Sequence, residues 1–238
     1  FNNYCLGGNF DRQYFSDRNG KKIDTYRSKI EEWKSGDRID ENTYFFLLTT
    51  LLESADKVAN TASIYGAYLK HLKNTAQKDL ILQAAEFHTT ENKHQVFNRN
   101  CNNLIKEVEG DILYLDPPYN TRQYGSNYHL LNTIAQYDEF IPKGKTGLRE
   151  YNRSCYCSKV FVKDVFEGLI RNANFKYIFL SYNNEGLMSR EDIGKIMSRY
   201  GQYDLSFMDY QRFQADKTEN RNYKTNRTKE YLHILEKR

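Results

Sequence analysis

Proline is scarce in this chain: three in 238 residues, at positions 117, 118 and 142, and two of them adjacent. Cysteine is nearly as rare, with Cys5, Cys101, Cys155 and Cys157 scattered in a way that offers no disulfide framework. The C-x-C of "SCYCSK" has no histidine nearby, so a zinc site is not expected, and reduced thiols in a cytoplasmic protein are. No apolar run approaches membrane-spanning length and no signal peptide is visible, which excludes a membrane partner of the helical kind. Strong charge is also lacking: the formal net charge is +4, compatible with an acidic partner without demanding one. What is present is enough apolar residue, 39%, to bury a core, so disorder is not expected. Tyrosine is abundant, at 20 residues. Its flat face and polar tip suit a surface that touches bases, and AT-rich codon usage explains the same count.

The order of patterns predicts two regions. In 1–93, "RQYFSDRNGKKID" has two short arms joined at Asn19-Gly20, a pair that tolerates positive φ, and predicts a β-hairpin carrying Arg12, Arg18, Lys21 and Lys22. "SKIEEWKSG" reads as a short helix ending at Gly36. In the next segment Phe45, Leu48, Leu51, Leu52, Ala55 and Val58 recur at helical spacing behind Asp40, a suitable N-cap, and predict a buried helix. "ASIYGAYLKHLKN" is expected to continue the helical region. In 94–238 the pattern alternates: "QVFNR", "DILYLDPP", "KYIFLSYNN", "YDLSFMDYQ" and "EYLHILEK" as strands, with helices between them, one capped by Ser189. That alternation predicts an α/β fold with a largely parallel sheet. The last two strands lack an intervening helix and are expected to pair antiparallel. The polar stretch Arg212–Lys229, with Lys217, Arg221 and Lys224, reads as a solvated loop or a phosphate-contacting one.

The paired prolines stand at the end of the apolar run "ILYL", between Asp116 and Tyr119. Ligands of open α/β sheets bind beyond the carboxyl ends of strands. Two successive prolines fix φ, remove two N–H donors and hold Asp116 extended. The result is a carboxylate, a backbone carbonyl at Pro117 and the ring of Tyr119, held together by the stiffness of Pro117 and Pro118. A flat ligand with an NH₂ group fits that set; a plain strand-ending turn with a surface tyrosine is the alternative.

"DPPY" at a strand end resembles the catalytic motif of S-adenosylmethionine-dependent DNA N6-adenine methyltransferases. The longer string "YLDPPYNTRQYGSNYHLLNTIA" is similar to a Dam-like (alpha-group) subset found in restriction–modification systems. Further segments agree in order, from "NYCLGGNFDRQYFSDRNGKKIDTYR" to "EYLHIL", so the resemblance covers nearly the whole chain. It implies a partial Rossmann-like methyltransferase sheet in 94–238 and a mostly helical, hairpin-bearing DNA-recognition region in 1–93. Asp116 and the Pro117 carbonyl would accept from the amine of a flipped adenine, and Tyr119 would stack on that base. S-adenosyl-L-methionine would be the methyl donor, double-stranded DNA the partner, a prokaryotic cytoplasm the setting, and no metal is implied. Asn100 stands where the family usually has an acidic residue that holds the cofactor's adenine; it either does this with an amide or only caps the following helix. Asp116 would border the cofactor as well. Arg12, Tyr14, Arg18, Asn19 and Lys21 would be hairpin contacts to DNA, joined by Arg122, Gln123 and Tyr124 after the catalytic turn.

The family's glycine-rich cofactor motif is not found in these residues. "CLGGNF" follows no apolar strand, and "IYGAYL" lies in a stretch read as helical. With Phe1 rather than methionine at the start, the expectation is that an N-terminal segment or a second chain carries that loop. A catalytically inactive, truncated DNA-binding relative is the alternative. Methylation of cytosine N4 or of a protein amide fits less well, because those relatives commonly have Ser or Asn in place of Asp116.

Overall fold

The computed structural model describes residues 1–211 and 227–238. Along the chain the elements are α1 (Asp17–Ser35), α2 (Glu41–Asp56), α3 (Asn74–Gln77), α4 (Cys101–Leu104), β1 (Glu109–Leu115), α5 (Tyr124–Asn127), α6 (His129–Gln136), α7 (Val162–Asn172), β2 (Asn174–Asn183), α8 (Arg190–Met197), β3 (Gly201–Gln211) and β4 (Arg227–Lys237). They form two compact units. One comprises residues 1–92 and 124–152, the other 93–123 and 153–238.

In the first unit the expected hairpin is absent, because α1 runs straight through Asn19-Gly20. Ser16 caps it by accepting from the Asn19 N–H at 3.3 Å. Tertiary contacts replace the turn. Asn19 donates to the Lys78 carbonyl at 2.8 Å and accepts from the Leu80 N–H at 2.9 Å, while Gly20 leaves space for the Cys5 sulfur. The helix therefore starts earlier than "SKIEEWKSG" suggests, and it ends at Gly36 as expected. Asp40 caps α2 by accepting from the Thr43 N–H at 2.7 Å. Leu48, Leu51 and Ala55 of α2 are buried, but Phe45 is 54% exposed, so only part of the expected apolar stripe faces the core. Residues beyond α2 are mostly irregular rather than helical. Asn60 explains this: its side chain donates to the Gln13 and Leu69 carbonyls and accepts from the Lys73 N–H. Those bonds offer the backbone an alternative to the helix ladder. The core joins Phe15, Ile23, Ile30, Leu51, Leu130 and Ile134, each worth about 1.5–3 kcal/mol on burial. Arg27, also buried, donates to the Ile134 and Ala135 carbonyls at the end of α6, where a cation complements the helix dipole.

The second unit holds a four-stranded sheet of order β1-β2-β4-β3. β1 and β2 are parallel; β4 is antiparallel to both β2 and β3. The sheet is thus mixed α/β, with less parallel pairing than expected, and the last two strands pair antiparallel as anticipated. One face is covered by α7 and α8: Leu113, Leu115, Ile178, Leu180 and Leu235 pack on Phe166, Ile170, Ile193 and Met197. Ser189 caps α8 reciprocally with Asp192. The "ILYL" strand is not fully buried. β1 is an edge strand, and Ile112 and Tyr114 on its other face are each 62% exposed. "QVFNR" forms no strand, with Val96 96% exposed. Of Arg212–Lys229, residues 212–226 lie outside the described residues.

Candidate active site

β1 ends at Leu115, in register with Leu180 of β2, and Asp116 is exposed immediately beyond it. The two prolines that follow have no N–H groups with which to continue the ladder. Among the described residues, no protein donor pairs with the Pro117 carbonyl. Tyr119 is anchored at both ends. Its carbonyl accepts from the Leu187 N–H at 3.0 Å, and its ring meets the ring of Tyr182 edge-on, 6.0 Å between centroids and 82° between planes. Tyr182 is buried at the end of β2, its hydroxyl 3.4 Å from the Met188 N–H. Tyr182 thus braces the site's aromatic residue from behind. The carboxylate, the open carbonyl and the ring follow one another along one proline-stiffened turn, and the chemistry such a set can serve is recognition of an amino group on a flat ring.

A cleft of about 290 Å³ adjoins this turn, and Asp116, Pro117, Pro118, Cys101, Ser154 and Tyr156 are among the residues that line it. Tyr156 is buried, and its hydroxyl donates to Asn102 Oδ1 at 2.9 Å. Burial pushes the Tyr156 phenol up. Asn100 is exposed and accepts from the Asn102 N–H at 2.9 Å, which makes it the N-cap of α4; its neighbour Cys101 is the residue that lines the cleft.

Glu230 of β4 belongs to the surroundings of Asp116 and was not singled out by sequence pattern. It pairs with Asn183 at the end of β2. Strand alternation places it on the sheet face that Asp116 continues. Burial, and then the nearby charge of Asp116, push its carboxyl up. The two carboxylates are 114 positions apart in the chain, and only the register brings them together.

The residues expected on a DNA-contacting hairpin divide. Arg12, Tyr14 and Asn19 are buried. The Arg12 guanidinium donates to the Lys145 carbonyl at 3.1 Å and the Gly144 carbonyl at 3.4 Å. The Tyr14 hydroxyl is 3.0 Å from the Tyr65 carbonyl and 3.1 Å from that of Thr146, and burial pushes its phenol up. These three side chains build the first unit from inside. Arg18 and Lys21 stay outside on α1, Arg18 72% exposed with a 2.6 Å ion pair to Asp79. Arg122 is exposed. Gln123 is half-buried and bonded to Ser154, and Tyr124, 55% exposed, stacks on Tyr128 at 5.9 Å. Among the described residues, no cluster of His, Cys, Asp or Glu is arranged to hold a metal, and no helix is long and apolar enough to cross a membrane.

Residues 8–196 match the family model described as D12 class N6 adenine-specific DNA methyltransferase. The chain is 65% identical over 237 residues to the Type II methyltransferase M.NlaIII of Neisseria lactamica, covering all of this chain and 71% of that protein. It is 40% identical over 218 residues to M.FokI of Planomicrobium okeanokoites, covering 90% of this chain and 34% of that one. It is also 39% identical over 212 residues to M.CviAII of Paramecium bursaria Chlorella virus 1, covering 89% and 63%. No solved structure matches the chain.

Proposed function

The chain belongs to the D12 class N6 adenine-specific DNA methyltransferase family, and from that premise we propose that the Asp116–Tyr119 turn receives a flipped adenine in the modification enzyme of a restriction–modification system. The observation that supports this is that the exposed Asp116, the Pro117 carbonyl that accepts from no protein donor among the described residues, and the Tyr119 ring braced by Tyr182 stand on one turn at the end of β1. Adenine's amine is a weak nucleophile because its lone pair is delocalised into the ring. Two acceptors aimed at its two hydrogens favour a tetrahedral nitrogen and turn that lone pair outward. S-adenosylmethionine, when bound, supplies an electrophilic sulfonium methyl. Asp116 borders both the amine position and the adjoining cleft, so its negative charge also complements the sulfonium. The protein's part is positioning and electrostatics.

The mostly apolar cleft between Asp116 and Tyr156 fits a portion of that cofactor, with Cys101 rather than Asn100 at its rim. None of the described strands runs into a glycine-rich loop. The unpaired edge of β1, with Ile112 and Tyr114 outward, suits a further strand carrying such a loop, on the same polypeptide or a second chain. The first unit, with Arg18 and Lys21 on α1, is assigned to duplex DNA.

Replacing Tyr119 tests the acceptor half. Base–aromatic stacking is worth about 1–3 kcal/mol. Tyr119→Ala should raise KM for DNA or lower kcat at least about fivefold, and Tyr119→Trp should retain most activity; equal losses in steady-state kinetics would remove stacking from its role. Neutralising Arg18 and Lys21 together should reduce the salt slope of DNA binding by about 2. The Arg18–Asp79 pair does not oppose this, because an exposed ion pair is worth at most about 1 kcal/mol. Fluorescence anisotropy across a salt series reads the slope, and an unchanged one would take α1 out of the interface.

A further inference from the structure

Gln123 lies seven residues after Asp116, half-buried, and both halves of its amide are engaged by one residue. Its Oε1 accepts from the Ser154 N–H at 2.8 Å, and its Nε2 donates to the Ser154 carbonyl at 3.2 Å. The side chain thereby pairs with Ser154 much as a strand neighbour would. Next to it, the Cys157 thiol donates to the Arg122 carbonyl at 3.3 Å. Two consecutive residues after the Pro-Pro turn are thus stitched to the segment 154–157.

That segment contributes Ser154 and Tyr156 to the wall of the cleft that Asp116 and the two prolines also line. Ser154 caps the short 3-10 turn Cys155–Cys157 by accepting from the Tyr156 N–H at 3.2 Å. The Tyr156 hydroxyl holds Asn102, whose Nδ2 donates to the Val165 carbonyl at 2.6 Å, so the wall is tied to α4 and α7 as well. The cleft, about 290 Å³, sits at the small end of ligand pockets, where a shift of one wall changes the fit directly.

We propose that Gln123 is a positioning residue that fixes the Ser154–Tyr156 wall against the Asp116–Pro117 turn, and that it sets the affinity of this cleft for S-adenosylmethionine rather than reading DNA. The proposal rests on the methyltransferase reading of the site. A side chain whose carbonyl and amide are both committed inside the protein gives up two good hydrogen bonds if it turns to a base edge or a phosphate. Its contribution is pre-organisation of a wall, which appears in the cofactor's KM.

The test compares Gln123→Ala and Gln123→Met with the parent in the full-length methyltransferase. Methionine keeps the length of the side chain and lacks both hydrogen bonds. Each variant should raise KM for S-adenosylmethionine about tenfold, equivalent to about 1.4 kcal/mol. kcat at saturating cofactor should stay within about twofold, and DNA affinity and its salt slope should not change. A melting temperature for Gln123→Met close to the parent's shows that the fold is intact. Weakened DNA binding overturns the proposal, and so does an unchanged cofactor KM. Asp116→Ala, measured alongside, separates the two layers: turnover surviving that change refutes the site reading itself, whatever Gln123 does.

Discussion

Asp116→Ala is expected to lower methylation turnover by about a thousandfold while leaving DNA affinity within a few-fold of the parent. Removing one preorganised group from a reacting centre commonly costs 10²–10³ in kcat, or about 2.7–4 kcal/mol. Asp116 stands at the upper end of that range on the proposed reading, because it has two tasks: it accepts from the amine and opposes the sulfonium charge. The substitution spares the fold. Asp116 is exposed beyond the last residue of β1 and lies outside both buried clusters, so stability should move by no more than about 0.5 kcal/mol. Asp116→Asn keeps an acceptor oxygen and loses the charge, and an intermediate rate would apportion the two tasks. Glu230 supplies an independent readout. The charge of Asp116 contributes to the upward push on the Glu230 carboxyl, so Asp116→Ala should bring the Glu230 pKa down in an NMR titration, with burial still holding it above an ordinary glutamate. Single-turnover methylation with saturating cofactor reads the main effect; a rate within tenfold of the parent would leave Asp116 without its proposed role.

What was legible in the sequence was what local chemistry decides. Asp40 and Ser189 announce their helices because an N-cap needs only the next three residues. The Asp-Pro-Pro-Tyr turn was readable because proline stiffness is intrinsic to the chain. That only one face of β1 is covered was not readable. A run such as "ILYL" shows that a strand can be covered twice, and the residues that would cover the outward face of Ile112 and Tyr114 have no trace in the run itself. Gln123 was read as a DNA contact, because its partner Ser154 is 31 positions away and leaves no mark beside it in the sequence. Glu230 was passed over for the same reason: it reaches the site only through the β2–β4 register. The Asn19-Gly20 pair misled most, since its turn propensity is real and was overridden by contacts with residues 5, 78 and 80.

That override makes Gly20 a sensitive position. In an ordinary exposed helix, Gly→Ala stabilises by about 1 kcal/mol. Here a methyl at position 20 would collide with the Cys5 sulfur, which is itself fully buried in the same cluster as Phe15. Overpacking of this kind typically costs about 1–3 kcal/mol, occasionally more. Contact with a fully buried sulfur puts Gly20→Ala at the upper end, so its net effect should be a loss of about 2 kcal/mol despite the propensity gain. In a chain of this length that lowers the melting temperature by about 4–8 °C. The double variant Gly20→Ala with Cys5→Ala removes the colliding atom and should recover most of the loss; a turn-forming glycine would show no such rescue. Calorimetric melting of the two single variants and the double variant closes the cycle. A Gly20→Ala protein as stable as the parent would mean that α1 does not pass this close to Cys5.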